Sequence, residues 1–484
     1  MTQNAQQTVA RNVIIMLFAQ VVTRIGGFIT AVLLTNYLDV DNFGRYNFLL
    51  AYATLFTPLC DLGIDTFIIR ELSLHPEKRS AAAGTALLLK SGLTVTSILF
   101  IVGSFYFFYR STSLLPLIFI VATVVSLRSF SGTFSGLFRA NQHLSLDSMI
   151  QIAAKAFDLV AVLIALFLKA DIFLLFQILF VSALFQLGYT YFLAHRHSYL
   201  NFLSASYQYA IKILKGGLPF VLTSISVIIY FQIDTVMLST LVGEHETGIY
   251  RSATIIVFSL NAFSAAVVIA LFPMVARKFN KEPKEAVRIA SNAMFYSLLI
   301  AFPIAVGATT LAGPIINFLY KNSFAEASTS LRILIWWVPI SFATNTLGHI
   351  LAAIGQQKKV LYISAINAIF NVAANFYYIP RYGAVGASMT TVATEVIGIV
   401  LLTSIVAKQF GWIYQMGRLA KTFIASLVLL PLGLLSGQLH IMILIALGAI
   451  LYFAALVILR IITKKDLDQL KVIIFNRDPY TITR

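Results

Sequence analysis

Long apolar runs recur from one end of this 484-residue chain to the other, as in Leu93–Phe108, Leu159–Leu168 and Ile441–Leu459. A bilayer's hydrocarbon core takes about 20 apolar residues per helix. Charged residues make up 11 % of the sequence, less than half the ~25 % of an ordinary soluble domain. The chain therefore reads as an all-α polytopic membrane protein. Spans are expected near 10–36, 43–69, 84–109, 114–138, 148–168, 172–194, 211–238, 248–275, 288–312, 328–354, 360–379, 385–408, 418–437 and 440–462, about 14 transmembrane helices. The segment before the first span, Met1–Ala10, is polar and uncharged, unlike a cleavable signal. The longest hydrophilic stretches, 195–215, 276–287 and 463–484, are too short to fold alone.

Lysine and arginine set the orientation. With the N-terminus inside, inner segments hold 24 basic residues and outer loops hold six: Arg45, Arg110, Lys169, Arg251, Lys321 and Arg381. This is the positive-inside pattern, with both termini cytoplasmic. The net charge of +16 then reflects loops beside anionic lipid, not nucleic acid.

The halves resemble each other. Leu34-Thr35 with Gly44 and Tyr46 recurs 204 residues on as Leu238-Ser239 with Gly248 and Tyr250, and Gln142 recurs as Gln356. Six spans separate the copies, so the repeats run parallel, the arrangement in which two lobes rock about a central cleft. The expected division is an N-lobe over 1–200, a C-lobe over 201–409, and two additional helices with a tail over 410–484.

Ionisable residues at membrane depth are expensive and usually face a cavity. Arg24, Lys90, Arg128 and Lys155 stand well inside spans of the first half. Together they suit a polyanion such as a pyrophosphate, which guanidinium binds through a planar fork. Lys90 and Lys155 lie where snorkelling to the inner surface is a second reading. Asp158, three residues after Lys155, suggests a local ion pair. Asp61 and Asp65 share a face and call for Arg70 or a neighbouring helix. Asp234 and Glu395 in the second half are candidates for proton or sodium coupling, against the plainer reading of hydrogen-bonded structural carboxyls. Asn367, Asn371 and Asn375 recur every four residues, as do Ser341, Asn345 and His349, so each set shares a helical face. Such faces serve interhelix hydrogen bonds or a polar cavity for sugar hydroxyls. Ser126, Ser129, Gly132, Thr133 and Gly136 form a small-residue face suited to close packing. Pro58, Pro219, Pro303, Pro339 and Pro431 are candidate kinks.

Enzymatic signatures are missing. Gly84 through Lys90 and Ser91 lacks the second glycine of a phosphate loop. The seven histidines are scattered, and Cys60 is the single cysteine, which excludes disulfides and cysteine metal sites. No cofactor is called for beyond a coupling proton or sodium ion.

The stretch 24–46, with Arg24, Gly26, Gly27, Tyr37, Leu38, Asp39, Phe43, Gly44 and Tyr46, followed by Asp61, Leu62, Gly63, Asp65 and Arg70, resembles the opening of the Wzx-type polysaccharide-biosynthesis flippases. These belong to the multidrug/oligosaccharidyl-lipid/polysaccharide (MOP) exporter superfamily. The family pattern has glycine where Asp39 stands. The resemblance implies two six-helix lobes in a V shape and a non-enzymatic carrier in the cytoplasmic (inner) membrane. That carrier would move a polyprenyl-(pyro)phosphate-linked oligosaccharide outward for O-antigen, capsule, exopolysaccharide or glycoprotein assembly. It also implies a cationic cavity, lipid and lipid-linked sugar as partners, polysaccharide assembly machinery nearby, no nucleic acid, and a monomer. The alternatives are a cation-coupled multidrug exporter of the MATE type, a lipid II flippase and, less consistent with short outer loops, a membrane glycosyltransferase or polymerase.

Overall fold

A straight helix of 54 residues would reach about 80 Å, against a hydrocarbon layer of about 30 Å. In the computed structural model the helix Gln357–Phe410 resolves this conflict with a kink at Gly383, where φ is 52° and ψ −130°. Pro380, just before the kink, adds a lost backbone donor. One continuous helix is therefore two crossings. The structure describes residues 3–75, 79–197, 205–261, 263, 264, 278 and 282–461. Among them eleven helices are long and apolar enough to span a bilayer, this one included, and there is no strand. The chain is an all-α polytopic membrane protein. Large apolar side chains such as Phe107, Phe108 and Phe167 are mostly exposed, as lipid-facing positions require.

The first ten helices are α1 (Gln3–Tyr37), α2 (Val40–Leu55), α3 (Thr57–Asp61), α4 (Ile64–Leu74), α5 (Arg79–Tyr109), α6 (Leu115–Ala140), α7 (Leu144–Phe167), α8 (Ile172–Arg196), α9 (Tyr207–Leu241) and α10 (Glu244–Ser259). They are followed by α11 (Pro283–Thr310), α12 (Ala312–Leu319), α13 (Ala327–Leu334), α14 (Trp337–Ala353), α15 (Gln357–Phe410), α16 (Met416–Ser426) and α17 (Ile441–Ile458). Caps fix several starts. Asp39 accepts from the Asn42 amide at 2.8 Å and opens α2, and Asp171 does the same from Leu174 for α8. Spans α6 and α14 end in the same turn. His143 N bonds Phe138 O and Gln356 N bonds Leu351 O. The preceding residues, Gln142 and Gly355, are left-handed.

Not every expected span is one regular helix. The 43–69 span is broken into α2, α3 and α4, because Leu62 and Gly63 are both left-handed, with φ 47° and 72°. Pro58 sits in the first turn of α3, where its missing N–H costs nothing. The 248–275 span begins as α10, and most of its second half lies outside the described residues, as does the tail after Ile461. The 418–437 span is α16 followed by a 3₁₀ stretch, Leu427–Leu435, containing Pro431.

By internal packing the chain forms two units: Met1–Ala262 with Leu361–Thr394, and Phe263–Val360 with Glu395–Arg484. In the first, α1 packs along α7, α2 along α10, and α6 against α5 and α8. In the second, α11 packs on α14 and α16, over a cluster of Val306, Leu311, Leu429, Leu432 and Leu444. The first unit thus combines spans from both sequence repeats.

The small-residue face of α6 meets α4. A Cβ on Gly132 would stand 2.8 Å from Asp65 Oδ2. Thr133 donates to Asp65 Oδ1 at 2.7 Å. Lys90 from α5 is fully buried; it binds Asp61 and lies 3.4 Å from Asp65 Oδ1. So Lys90 does not snorkel, and it, not Arg70, answers the two carboxylates. Lys90→Ala should destabilise the purified protein by about 3–5 kcal/mol, the usual cost of breaking a buried ion pair. Thermal unfolding in detergent checks this; a wild-type melting temperature would contradict the ion bridge.

Candidate functional site

The cations split into separate environments. Lys90 is held by Asp61 and Asp65 and is not brought together with the other three. Arg128 on α6 and Lys155 on α7 instead share Asp158. Arg128 Nη2 donates to Oδ1 at 2.9 Å, and Lys155 Nζ lies 3.7 Å from Oδ2. Ser182 of α8 also donates to Oδ1. The i,i+3 pair expected from sequence is present, but Arg128 is the nearer partner. Arg128 keeps a buried Nε with no acceptor and remains 37 % exposed, so its guanidinium has donors to spare.

Gly26 and Gly27 admit Lys155. A Cβ on Gly26 would come 3.2 Å from Lys155 Cγ, and one on Gly27 would lie 3.8 Å from Nζ. The lysine stem therefore runs across the bare face of α1. Arg24 stands on that helix within a turn of both glycines; it is exposed and has no ion-pair partner among the described residues. Arg128 and Lys155 thus share one carboxylate, and Arg24 has none among the described residues.

A further cation is one that the charge count placed with the outer loops, at the start of the 248–275 span. Arg251 on α10 donates from Nε to Asn47 Oδ1 at 3.2 Å, and no carboxylate pairs with it among the described residues. Its electrostatic neighbours are Tyr250 and Tyr46. Tyr46, buried and stacked on Phe176 with ring centroids 5.2 Å apart, is also within electrostatic reach of Arg128 and Asp158. Tyr46 is thus within electrostatic reach of both Arg128 and Arg251. The repeat pairs it with Asn47, 204 residues earlier and near the start of the second span.

Asp234 has an entirely neutral cage. Oδ2 accepts from Tyr250 and Thr391, each at 2.7 Å, and Oδ1 from Asn375 Nδ2 at 2.6 Å. The second amide hydrogen of Asn375 goes to Asn371 Oδ1 at 3.1 Å, and Thr390 donates to Asn375 Oδ1. Asn371 Nδ2 reaches Thr394 Oγ1 at 3.4 Å. All these side chains are buried. The asparagine face thus meets the carboxylate, while the threonines at 390, 391 and 394 went unmarked in the sequence. One carboxylate among amide and hydroxyl oxygens can hold a proton, or a hard monovalent cation if the donors turn away.

The remaining candidates are elsewhere. Asn367 is buried with an unbonded Oδ1. Glu395 accepts from Thr344, and Asn345 donates to Ser264 at 3.3 Å. His349 is exposed. Ser341 bonds its own helix at Val338 O. Glu395 and Asp234 have separate partners.

Residues 9–279, more than half the chain, match the family model described as polysaccharide biosynthesis protein. Residues 219–377 match the MatE model. An uncharacterised membrane protein of Methanocaldococcus jannaschii is 32 % identical over 33 % of this chain and 32 % of its own length. A probable low-salt glycan biosynthesis flippase of Haloferax volcanii is 25 % identical over 40 % of this chain and 43 % of its own. This chain therefore aligns with less than half the length of either relative. Among solved structures, the lipid II flippase MurJ in an inward closed conformation superposes with a TM-score of 0.74 at 16 % identity, covering 92 % of this chain and 99 % of that one. At that identity the likeness establishes the fold.

The cage makes a stability prediction. Tyr250→Phe and Asn375→Ala each remove one donor from a buried carboxylate, at an expected cost of about 1–3 kcal/mol. Because both serve one carboxylate, the double variant should cost measurably less or more than the sum. Strict additivity in thermal unfolding would contradict a connected cage.

Proposed function

Since the chain belongs to the polysaccharide biosynthesis protein family, within the MOP superfamily, we propose that it is a flippase for a polyprenyl-(pyro)phosphate-linked oligosaccharide. The observation that carries this reading is an excess of positive charge over acid: Arg128 and Lys155 share Asp158, and Arg24 and Arg251 have no ion-pair partner among the described residues. A pyrophosphate brings the missing negative charge and acceptor oxygens for the spare guanidinium donors. The apolar tail stays in lipid, while the sugar chain crosses with the headgroup. The name of the Haloferax relative, a glycan biosynthesis flippase, supports the substrate class.

In this reading the protein sits in the cytoplasmic membrane with both ends inside, and the lobes 1–200 and 201–409 part alternately towards each face. Helices from 410 onward stand outside the repeat. The molecule works as a monomer, delivers its cargo to polysaccharide assembly machinery, and catalyses no covalent step. Asp234 in its cage is the favoured coupling site, exchanging a proton or sodium ion; Glu395 is the secondary candidate. The buried Asn371 and Asn375 serve that carboxylate, and Asn345, His349 and Asn367 are left as candidates for the sugar.

The MatE match favours a second reading, a cation-coupled drug exporter. The net positive site argues against it, because a cationic drug would meet like charge. The MurJ likeness keeps a lipid II cargo as a variant with the same pyrophosphate chemistry.

Arg24→Ala, Arg128→Ala and Arg251→Ala should each lower flipping of a fluorescent polyprenyl-pyrophosphate-linked oligosaccharide in proteoliposomes. The expected loss is about 10- to 100-fold, the equivalent of one charge-assisted hydrogen bond. Wild-type rates in all three would contradict the cationic site. Asp234→Asn should flatten the dependence of that rate on pH or sodium; an unchanged dependence would remove Asp234 from coupling. Protection of an efflux-deficient host against cationic drugs would favour the exporter.

A further inference from the structure

The two crossings of α15 are bonded to each other in register about Gly383. Nearest the kink, a Cβ on Gly386 would overlap Tyr378 O. Further along, Thr390 donates to Asn375 Oδ1. Beyond that, Asn371 Nδ2 donates to Thr394 Oγ1 at 3.4 Å. Each pair straddles Gly383 almost symmetrically in sequence. They are successive rungs of a helical hairpin with Gly383 at its apex.

Asp234 is held by both sides of this hairpin. Oδ1 accepts from Asn375, before the apex, at 2.6 Å. Oδ2 accepts from Thr391, after the apex, at 2.7 Å. The rotation of one crossing against the other therefore decides whether both bonds can form, and that rotation is set at the apex. Gly383, with φ 52° and ψ −130°, has a backbone that glycine adopts readily and that other residues resist. The same freedom makes a glycine apex pliable, so a contact from outside the hairpin must hold it.

Glu246 on α10 supplies that contact. Its Oε2 accepts from Ala384 N at 2.6 Å and occupies the space where a Cβ on Gly383 would stand. Ala384 is the first residue of the second crossing. A helix leaves its first amides open, and a carboxylate there meets the positive end of the dipole. No cation pairs with Glu246 among the described residues. Tyr250 follows Glu246 by one turn, so the two share a face of α10. That face touches the hairpin region twice: Glu246 at the apex, and Tyr250 at the cage, 2.7 Å from Asp234 Oδ2 and 3.0 Å from Thr391 Oγ1.

We propose that Glu246 is a positioning residue for the Asp234 site: it pins the apex of the α15 hairpin and so fixes where Asn375 and Thr391 meet the carboxylate. The proposal rests on the reading of Asp234 as the coupling site. Glu246 acts through the backbone, because its bond goes to Ala384 N and not to a side chain of the cage. What it supplies is an accepting oxygen. Glutamine keeps that oxygen and loses the charge, while alanine loses both.

The test titrates the purified protein, without cargo, with sodium at fixed pH and with protons at fixed sodium, and follows thermal unfolding, since a bound ion stabilises the folded state. Asp234→Asn identifies the midpoint that belongs to the site by abolishing it. Glu246→Ala should move that midpoint by about tenfold or more, as happens when an outer partner of an ion ligand is lost. Glu246→Gln should stay close to wild type. An unchanged midpoint in Glu246→Ala overturns the proposal. An equal shift in both variants also overturns it, because that would be charge acting through space. A second measurement needs neither cargo nor ion. Spin labels at Ile369→Cys and Met389→Cys, exposed positions on the two crossings, in a Cys60→Ser background, report the hairpin geometry. One narrow distance is expected with Glu246 or Gln at position 246, and a broadened or displaced one with Glu246→Ala. Identical distances in all three proteins, or a broadened one in Glu246→Gln, overturn the proposal. If no midpoint depends on Asp234, the coupling assignment fails, and the spin-label distances still decide the role of Glu246.

Discussion

A charge buried among membrane spans must be answered by a counter-charge, by hydrogen-bond donors or by a cavity, because leaving it bare in hydrocarbon costs at least about 2.5–3.5 kcal/mol. This chain uses all three answers, and the pattern of answers separates structural charges from functional ones. Lys90 is over-answered by two carboxylates and reads as a fastener. Asp234 is answered by neutral hydroxyls and amides alone, which leaves its charge open to change. Arg128 and Lys155 have one acid between them, and Arg24 and Arg251 have none among the described residues. In the proposed reading, the charge left unanswered by the protein is met by the cargo's pyrophosphate.

The internal repeat gives these differences a common frame. Tyr46 and Tyr250 are equivalent positions, yet Tyr46 lies within reach of cations and Tyr250 donates to a carboxylate. Asn47 and Arg251 are equivalent too, and they bond each other. The two copies therefore share landmarks and differ in the charges their tyrosines meet. The glycines at 44 and 248 kept their equivalence because the close contact tolerates nothing larger.

Hydropathy and the lysine and arginine bias were enough to read the spans, because apolar length and charge placement are local properties. The break at Leu62–Gly63 was hidden, since both residues sit in an apolar stretch and the left-handed turn is held by Lys90, distant in sequence. That Asp61 and Asp65 share a face was visible; their partner was not, because pairing across helices depends on packing. Arg251 was counted with the outer loop because it stands at the start of its span, just after Glu244, His245 and Glu246; its partner Asn47 is the equivalent position of the 204-residue repeat. The asparagine stripe on α15 was legible by its four-residue step, but the acid it serves lies on α9.

The central claim is that the unanswered positive charge is a pyrophosphate site. Direct binding of polyprenyl pyrophosphate, polyprenyl phosphate and the uncharged polyprenol to the purified protein tests it, because the three differ only in the headgroup. The account predicts affinity falling in that order, with the gap between pyrophosphate and polyprenol narrowing as salt is raised. Equal affinity for all three lipids at low salt would contradict it.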